Sequence, residues 1–188
     1  MNWRVIAKMK LITVSNGNSD YPGNFTKEEI KIIKRNIIGK CLHLFSGKSD
    51  IGNIRVDYKY GNVKSDVFLF LGYNQTHFDT IIIDAPYNHK FACKYQELGT
   101  TPEQFIIFAN TQKTTKLFNI IDKLDPEIII LKSWNYYCLN RYEIKESYLC
   151  YPGGFRKSTI LLIMKRKQMK LFINDSHSIE SWNVINSN

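Results

Sequence analysis

The sequence predicts an α/β domain built on one mainly parallel sheet, with an antiparallel C-terminal hairpin and one flank short of helices. Three observations carry that reading. Runs of Ile, Leu, Val and Phe follow one another, KCLHLFSG, NIRVDY, SDVFLF, FDTIIIDAPY and EIIILKSW, each closed by polar or glycine residues; near-continuous apolar runs are the pattern of strands covered on both faces. A helical stretch separates the last two. Two further runs, IKESYLCYP and STILLIMKRK, flank GGFRK and read as an antiparallel pair.

The elements follow in order. Residues 3–13 alternate, with Trp3, Val5, Ala7, Met9 and Leu11 on one side and Arg4, Lys8 and Lys10 on the other, the period of a half-buried strand. SNGNSDYPGNF reads as a loop. Thr26 and Glu29 form a capping box ahead of Ile30, Ile33 and Ile37, and Gly39 is placed to end the helix, which gives a helix over about 27–38. The links GKSDIG and YKYGNVK between the first three core strands are too short for a parallel crossover helix, which takes about a dozen residues. That is why one flank is expected to be thin. A second helix opens at Thr101, with Pro102 at its first position and Gln104 completing a capping box. Phe105, Phe108, Leu117, Ile120, Ile121 and Leu124 form its buried stripe.

At 188 residues and 22.0 kDa the chain has the length of one domain that can bury a core without disulfides or metal. We read residues 1–39 as an N-terminal strand and helix, 40–167 as the core sheet and 168–188 as a polar tail. The hydrophobic fraction of 44% excludes a disordered chain. No apolar run reaches the roughly 18 residues of a membrane span, and MNWRVIAKMK has no export pattern. A cytoplasmic address is the resulting expectation. Cys41, Cys93, Cys138 and Cys150 lie far apart with no CxxC pair, which argues against a disulfide framework and against a zinc site.

A net charge of +9 is compatible with a polyanionic partner. Its placement is more informative than its size. Residues 131–170 hold nine basic and two acidic side chains, whereas residues 1–130 hold seventeen and thirteen. Within that late segment Lys132, Trp134, Tyr136, Tyr137, Arg141, Tyr142 and Lys145 interleave aromatic and basic residues, and Arg156 and Lys157 follow PGGF. Aromatic rings stack on bases and cations neutralise phosphates, so this stretch is the candidate nucleic-acid surface. The competing reading is that the aromatics are core and the lysines solvated.

In open α/β sheets ligands bind beyond the carboxyl ends of the strands. Those ends carry LFSG on the first core strand, Asp57 on the second, Asp66 at the third and DAPY on the fourth. A nicotinamide site would need GxGxxG opening a helix, which SGKSDIG does not supply. Taken in order, LHLFSG, IRVDY, SDVF and FDTIIIDAPY resemble the successive motifs of class I S-adenosylmethionine-dependent methyltransferases over roughly residues 22–166. The fourth resembles the Asp/Asn-Pro-Pro-Tyr motif of the amino-methyltransferases that act on exocyclic amines of nucleic acids.

The resemblance implies a Rossmann-like methyltransferase sheet, the cofactor S-adenosylmethionine and a set of site residues. Phe45, Ser46 and Gly47 would approach the methionine part of the cofactor, Asp57 the ribose hydroxyls, and Asp66 the adenine amine with Val67 against the ring. Pro22 to Phe25 resembles the segment that closes over the cofactor, with Phe25 as its apolar contact. Each has a structural rival: a strand-ending turn, a turn aspartate, a turn cap and a hydrophobic staple. By the same resemblance the Asp84 carboxylate and the Ala85 carbonyl would accept the hydrogens of the target amine, and Tyr87 would stack on the base.

The chain departs from the family at Ala85, where proline is usual. Pro86 still biases Ala85 toward extended geometry. Tyr87 stands where cytosine-C5 RNA methyltransferases carry a cysteine, which argues against a thiol nucleophile. His89 is a candidate substrate contact, and His43 reads as a core histidine. Two functional classes follow. The first is an amino-methyltransferase of nucleic acid, with DNA adenine preferred to cytosine and to RNA and with a partner subunit available for target recognition. The second is a catalytically silent methyltransferase fold that binds nucleic acid. A small-molecule or protein methyltransferase is the third alternative.

Overall fold

The computed structural model describes residues 8–14, 25–87, 89–97, 99, 107–108, 110–154 and 157–168, without the side chains of 89–91. One eight-stranded sheet organises them: β1 (Lys10–Thr13), β2 (Cys41–Leu44), β3 (Ile54–Asp57), β4 (Val63–Lys64), β5 (Thr80–Ile83), β6 (Ile128–Ser133), β7 (Tyr142–Tyr151) and β8 (Thr159–Arg166). The spatial order is β1-β7-β8-β6-β5-β2-β3-β4. All pairings are parallel except those of β8 with β6 and β7. The protein is therefore α/β, with a mostly parallel sheet and an antiparallel C-terminal pair.

Helix α1 (Lys27–Asn36) starts as the local sequence demands. Thr26 Oγ1 accepts from the Glu29 amide at 3.3 Å and Glu29 Oε2 accepts from the Thr26 amide at 2.8 Å, so two orphan donors are satisfied reciprocally. Ile32 and Ile33 face the sheet and join Phe25, Ile51, Ile82, Ile130 and Ile163 in one core. The opposite face is covered by α2 (Val67–Tyr73) and α4 (Thr111–Leu124), whose Val67, Leu71, Leu117 and Ile121 pack on Leu42, Ile81, Ile83 and Ile129. Helix α3 (His89–Glu97) follows the loop after β5. No helix of the described residues is long and apolar enough to cross a membrane.

The loops between β2 and β3 and between β3 and β4 carry no helix, so that flank is thin, as the short links require. Three expectations are corrected. SDVFLF is not a strand: Asp66 Oδ1 accepts from the Leu69 amide at 2.8 Å and caps α2, and the strand is the preceding Val63–Lys64. Val67 and Leu71, four apart, face the core while Tyr73 is 82% exposed, the period of a helix. In β1, Leu11 is 67% exposed and the covered side is that of Ile12 and Val14, because this edge strand meets the α1 core with its even-numbered face. The helix expected from Thr101 begins only at Thr111: Asn110 Oδ1 accepts from the Lys113 amide at 3.0 Å and caps it, so Phe108 precedes the helix instead of lying on its stripe. Residues 101–106 and the tail from 169 lie outside the described residues.

Candidate active site

Two strand ends dominate the carboxyl rim of the sheet. The chain runs outward from β2 through β3 to β4, then returns to place β5 and β6 on the other side of β2. The strand order thus reverses between β2 and β5, the place where open α/β sheets hold ligands. The segments leaving these two strands are Phe45-Ser46-Gly47 and Asp84-Ala85-Pro86-Tyr87.

The register sets which residues meet there. The last paired residues are Leu44 with Val56, Leu44 with Ile83 and Ile83 with Leu131. One residue further, Asp57, Asp84 and Lys132 stand at one level. Side chains alternate along a strand, so Asp84 and Lys132 share the face of Ile82 and Ile130, toward α1. With strands about 4.8 Å apart, Asp57 and Asp84 sit about 10 Å from each other and Lys132 is the lateral neighbour of Asp84.

The turn after β2 is strained and held. Phe45 has φ +59° and Gly47 φ +50°; a left-handed phenylalanine costs about 1 kcal/mol and persists only where neighbours impose it. Asp57 is one such neighbour. Its Oδ2 accepts from the Gly47 amide at 3.0 Å, and its Oδ1 accepts from the amides of Lys59 and Tyr60 at 2.9 Å each. Gly61 closes this turn because a Cβ there would lie 2.2 Å from the Arg55 carbonyl oxygen. Two buried oxygens on the rim, Ser46 Oγ and Asp66 Oδ2, have no hydrogen-bond partner among the described residues. Asp66 therefore does two things: one oxygen caps α2, and the other is left for a donor.

Asp84 is the centre of a charged cluster. Tyr87 donates its hydroxyl to Asp84 Oδ1 at 2.9 Å, and the Tyr87 ring packs against Trp134 at 5.9 Å. Burial pushes the Asp84 carboxyl up, the Lys132 ammonium and the Tyr87 hydroxyl pull it down, and the balance lies at about 6. Burial also pushes the Tyr87 phenol well above its ordinary value, reinforced by Asp84. Ala85 and Pro86 are buried in the loop.

No protein-family model matches this sequence, and no curated protein matches it either.

Of the residues expected to touch a cofactor, Phe45, Ser46, Gly47, Asp57 and Asp66 gather on the rim. Val67 begins α2 and is buried in the core. Phe25 is buried too, its ring stacked on His43 at 5.6 Å. Among the residues expected on a nucleic-acid surface, Trp134 lies at the rim with the Lys157 ammonium 4.8 Å over its ring, and Tyr136 is partly buried nearby in sequence.

Lys132 is a correction, and Arg141 lies away from the rim. Lys132 is buried, bonded to Glu29 at 3.1 Å, and so is withheld from any phosphate. Arg141 precedes β7 at the amino end of the parallel strands, opposite the rim, and pairs with Asp125 at 2.7 Å. Arg156 and Pro22, and the His89 side chain, lie outside what is described. Three features escaped sequence reasoning. The Glu29–Lys132 pair is invisible because its partners are 103 residues apart; Glu29 reads as a cap and Lys132 as one cation among many. The left-handed Phe45 has no sequence signature. Trp134 as the neighbour of Tyr87 needs the sheet order.

Proposed function

We propose that this chain is an S-adenosylmethionine-dependent methyltransferase with a Rossmann-like sheet, acting on an exocyclic amine in nucleic acid, with adenine N6 of DNA as the preferred target. The observation that carries the reading is the convergence of the Phe45–Gly47 turn and the Asp84–Tyr87 loop where the strand order reverses. The order β4-β3-β2-β5-β6 is similar to that of doubly wound nucleotide-binding sheets.

The residues present fit the cofactor. Ser46 Oγ and Asp66 Oδ2 are buried oxygens without a hydrogen-bond partner among the described residues, and S-adenosylmethionine offers an ammonium, ribose hydroxyls and an adenine amine. Asp57 already accepts three amide hydrogens, and a carboxylate has about four acceptor positions, which leaves one for a ribose hydroxyl. When bound, the cofactor supplies an electrophilic sulfonium methyl group.

The chain supplies position and polarity. An exocyclic amine is a poor nucleophile because its lone pair is delocalised into the ring. Two acceptors that hold its hydrogens restore electron density to nitrogen, and fixed dipoles of this kind are worth most where water is excluded. The Asp84 carboxylate and the Ala85 carbonyl are those acceptors, with Pro86 holding Ala85 extended. Tyr87 and Trp134 form the aromatic wall against which a base stacks, and Lys157 adds charge at the same edge. A single-stranded or flipped base is the form that can reach a loop of this depth.

A second reading, a silent scaffold that binds nucleic acid, is favoured by one observation: Tyr87 already satisfies Asp84 Oδ1 and packs on Trp134. Calorimetry separates the two. The methyltransferase binds S-adenosylmethionine and loses affinity in Asp57→Ala, whereas heat-silent titrations across the series favour the scaffold.

A further inference from the structure

The most charged part of the interior lies beside the acceptor loop. Lys132 Nζ and Glu29 Oε2 pair at 3.1 Å with side chains only 7% and 1% exposed. Such a pair is weak evidence for stability, since apolar residues of similar volume are often equally stable in its place. Its position gives it another use. The sheet register sets Lys132 beside Asp84, on the same face, and α1 brings Glu29 onto that face. Glu29 is itself fixed, because the same Oε2 accepts from the Thr26 amide, and the Lys132 ammonium also lies 5.0 Å over the Phe25 ring.

We propose that Lys132, clamped by Glu29 on the strand beside Asp84, is a positioning residue for Asp84: its fixed positive charge acts on the carboxylate from the same face of the sheet. The proposal rests on the reading of Asp84 as the amine acceptor. The groups around that carboxylate come from several elements. Lys132 is its neighbour on β6 by register, Glu29 of α1 bonds that lysine, and Tyr87 of its own loop donates to the carboxylate. Tyr95 of α3 acts on Tyr87, and Cys150 of β7 acts on Lys132. Among these, Lys132 alone is positive. Burial pulls its ammonium down, but Asp84 and Glu29 outweigh that and raise it, so it stays charged.

The arrangement makes opposite demands of its two members. Lys132 favours the ionised Asp84, whereas Glu29 opposes it directly while holding Lys132 in place. A role confined to packing has no such sign.

The test is a ¹³C-carboxyl NMR titration of the full chain without donor or substrate, with Asp84 assigned by Asp84→Asn. Glu29→Gln keeps an N3 cap but removes the charge, and Lys132→Met with Glu29→Gln removes both charges without stranding either. We expect the Asp84 midpoint to fall in Glu29→Gln. It then rises in the double variant, above that single variant by about one pH unit or more, the usual effect of an adjacent opposite charge. The pH profile of methyl transfer moves the same way. Midpoints that agree within a few tenths of a unit across the three proteins overturn the proposal, even if the chain is active. Shifted midpoints in a chain that transfers no methyl group overturn the function and leave the coupling standing.

Discussion

Tyr87 donates its hydroxyl to Asp84 Oδ1 across 2.9 Å, so the aromatic wall and the acceptor of the loop are one hydrogen-bonded unit. That bond favours the ionised carboxylate, which burial opposes, and Asp84 titrates at about 6 as a result.

On the proposed function, transfer to an amine requires the carboxylate, so the rate should rise with pH through a midpoint at about 6. Tyr87→Phe keeps the ring against Trp134 and removes the donor, and its midpoint should move to higher pH. Single-turnover rates at a series of pH values read this directly. An unchanged midpoint in Tyr87→Phe would remove the hydroxyl from the account.

The two ends of the sheet make separable predictions for nucleic acid. Lys157 lies over Trp134 at the rim, whereas Arg141 pairs with Asp125 at the far end. Lys157→Ala should weaken oligonucleotide binding and lower the slope of log affinity against log salt by about 1. Arg141→Ala should leave both unaltered. Fluorescence anisotropy at several salt concentrations decides, and the reverse pattern would put the nucleic acid on the wrong end.

His43 predicts how stability depends on acid. Its ring is fully buried on β2, stacks on Phe25 and bonds through Nδ1 to the Ile51 carbonyl oxygen at 3.0 Å. Burial first, opposed by that bond and aided by Arg55, pulls its pKa down from 6.5 to about 4. A base whose folded pKa is depressed must lose its proton to fold. Its contribution is therefore complete above the unfolded value and is lost as pH falls from 6.5 toward 4, by about 3 kcal/mol in all. Asp84, raised to about 6, acts in the other direction, its penalty relieved as pH falls from 6 toward 3.8. Denaturant unfolding across this range should show a His43 slope that His43→Gln removes.

What was legible in the sequence was local. The Thr26–Glu29 box lies within four residues and formed as expected, and the apolar runs of β2, β5 and β6 announced strands buried on both faces. SDVFLF misled because six apolar-rich residues fit either period, and the Asp66 cap decided for a helix. Leu11 misled because alternation fixes two faces without saying which is covered. Lys132 misled most. Its burial depends on a helix more than a hundred residues earlier and on the register of β5 with β6, neither of which composition encodes. The rim segments were legible as successive strand ends, but their meeting at one level is a property of the sheet.

On the proposed function the Asp84 loop directs a methyl group from S-adenosylmethionine to an exocyclic amine. The decisive experiment is to incubate the protein with labelled S-adenosylmethionine and a panel of DNA and RNA, then digest and identify the labelled nucleoside. The expected product is an N-methylated base, N6-methyladenine in DNA before any other. Asp84→Ala should lower the rate by about 100-fold or more while cofactor affinity stays nearly unchanged. Label on a ring carbon, on no nucleoside at all, or retained in full by Asp84→Ala would contradict that function.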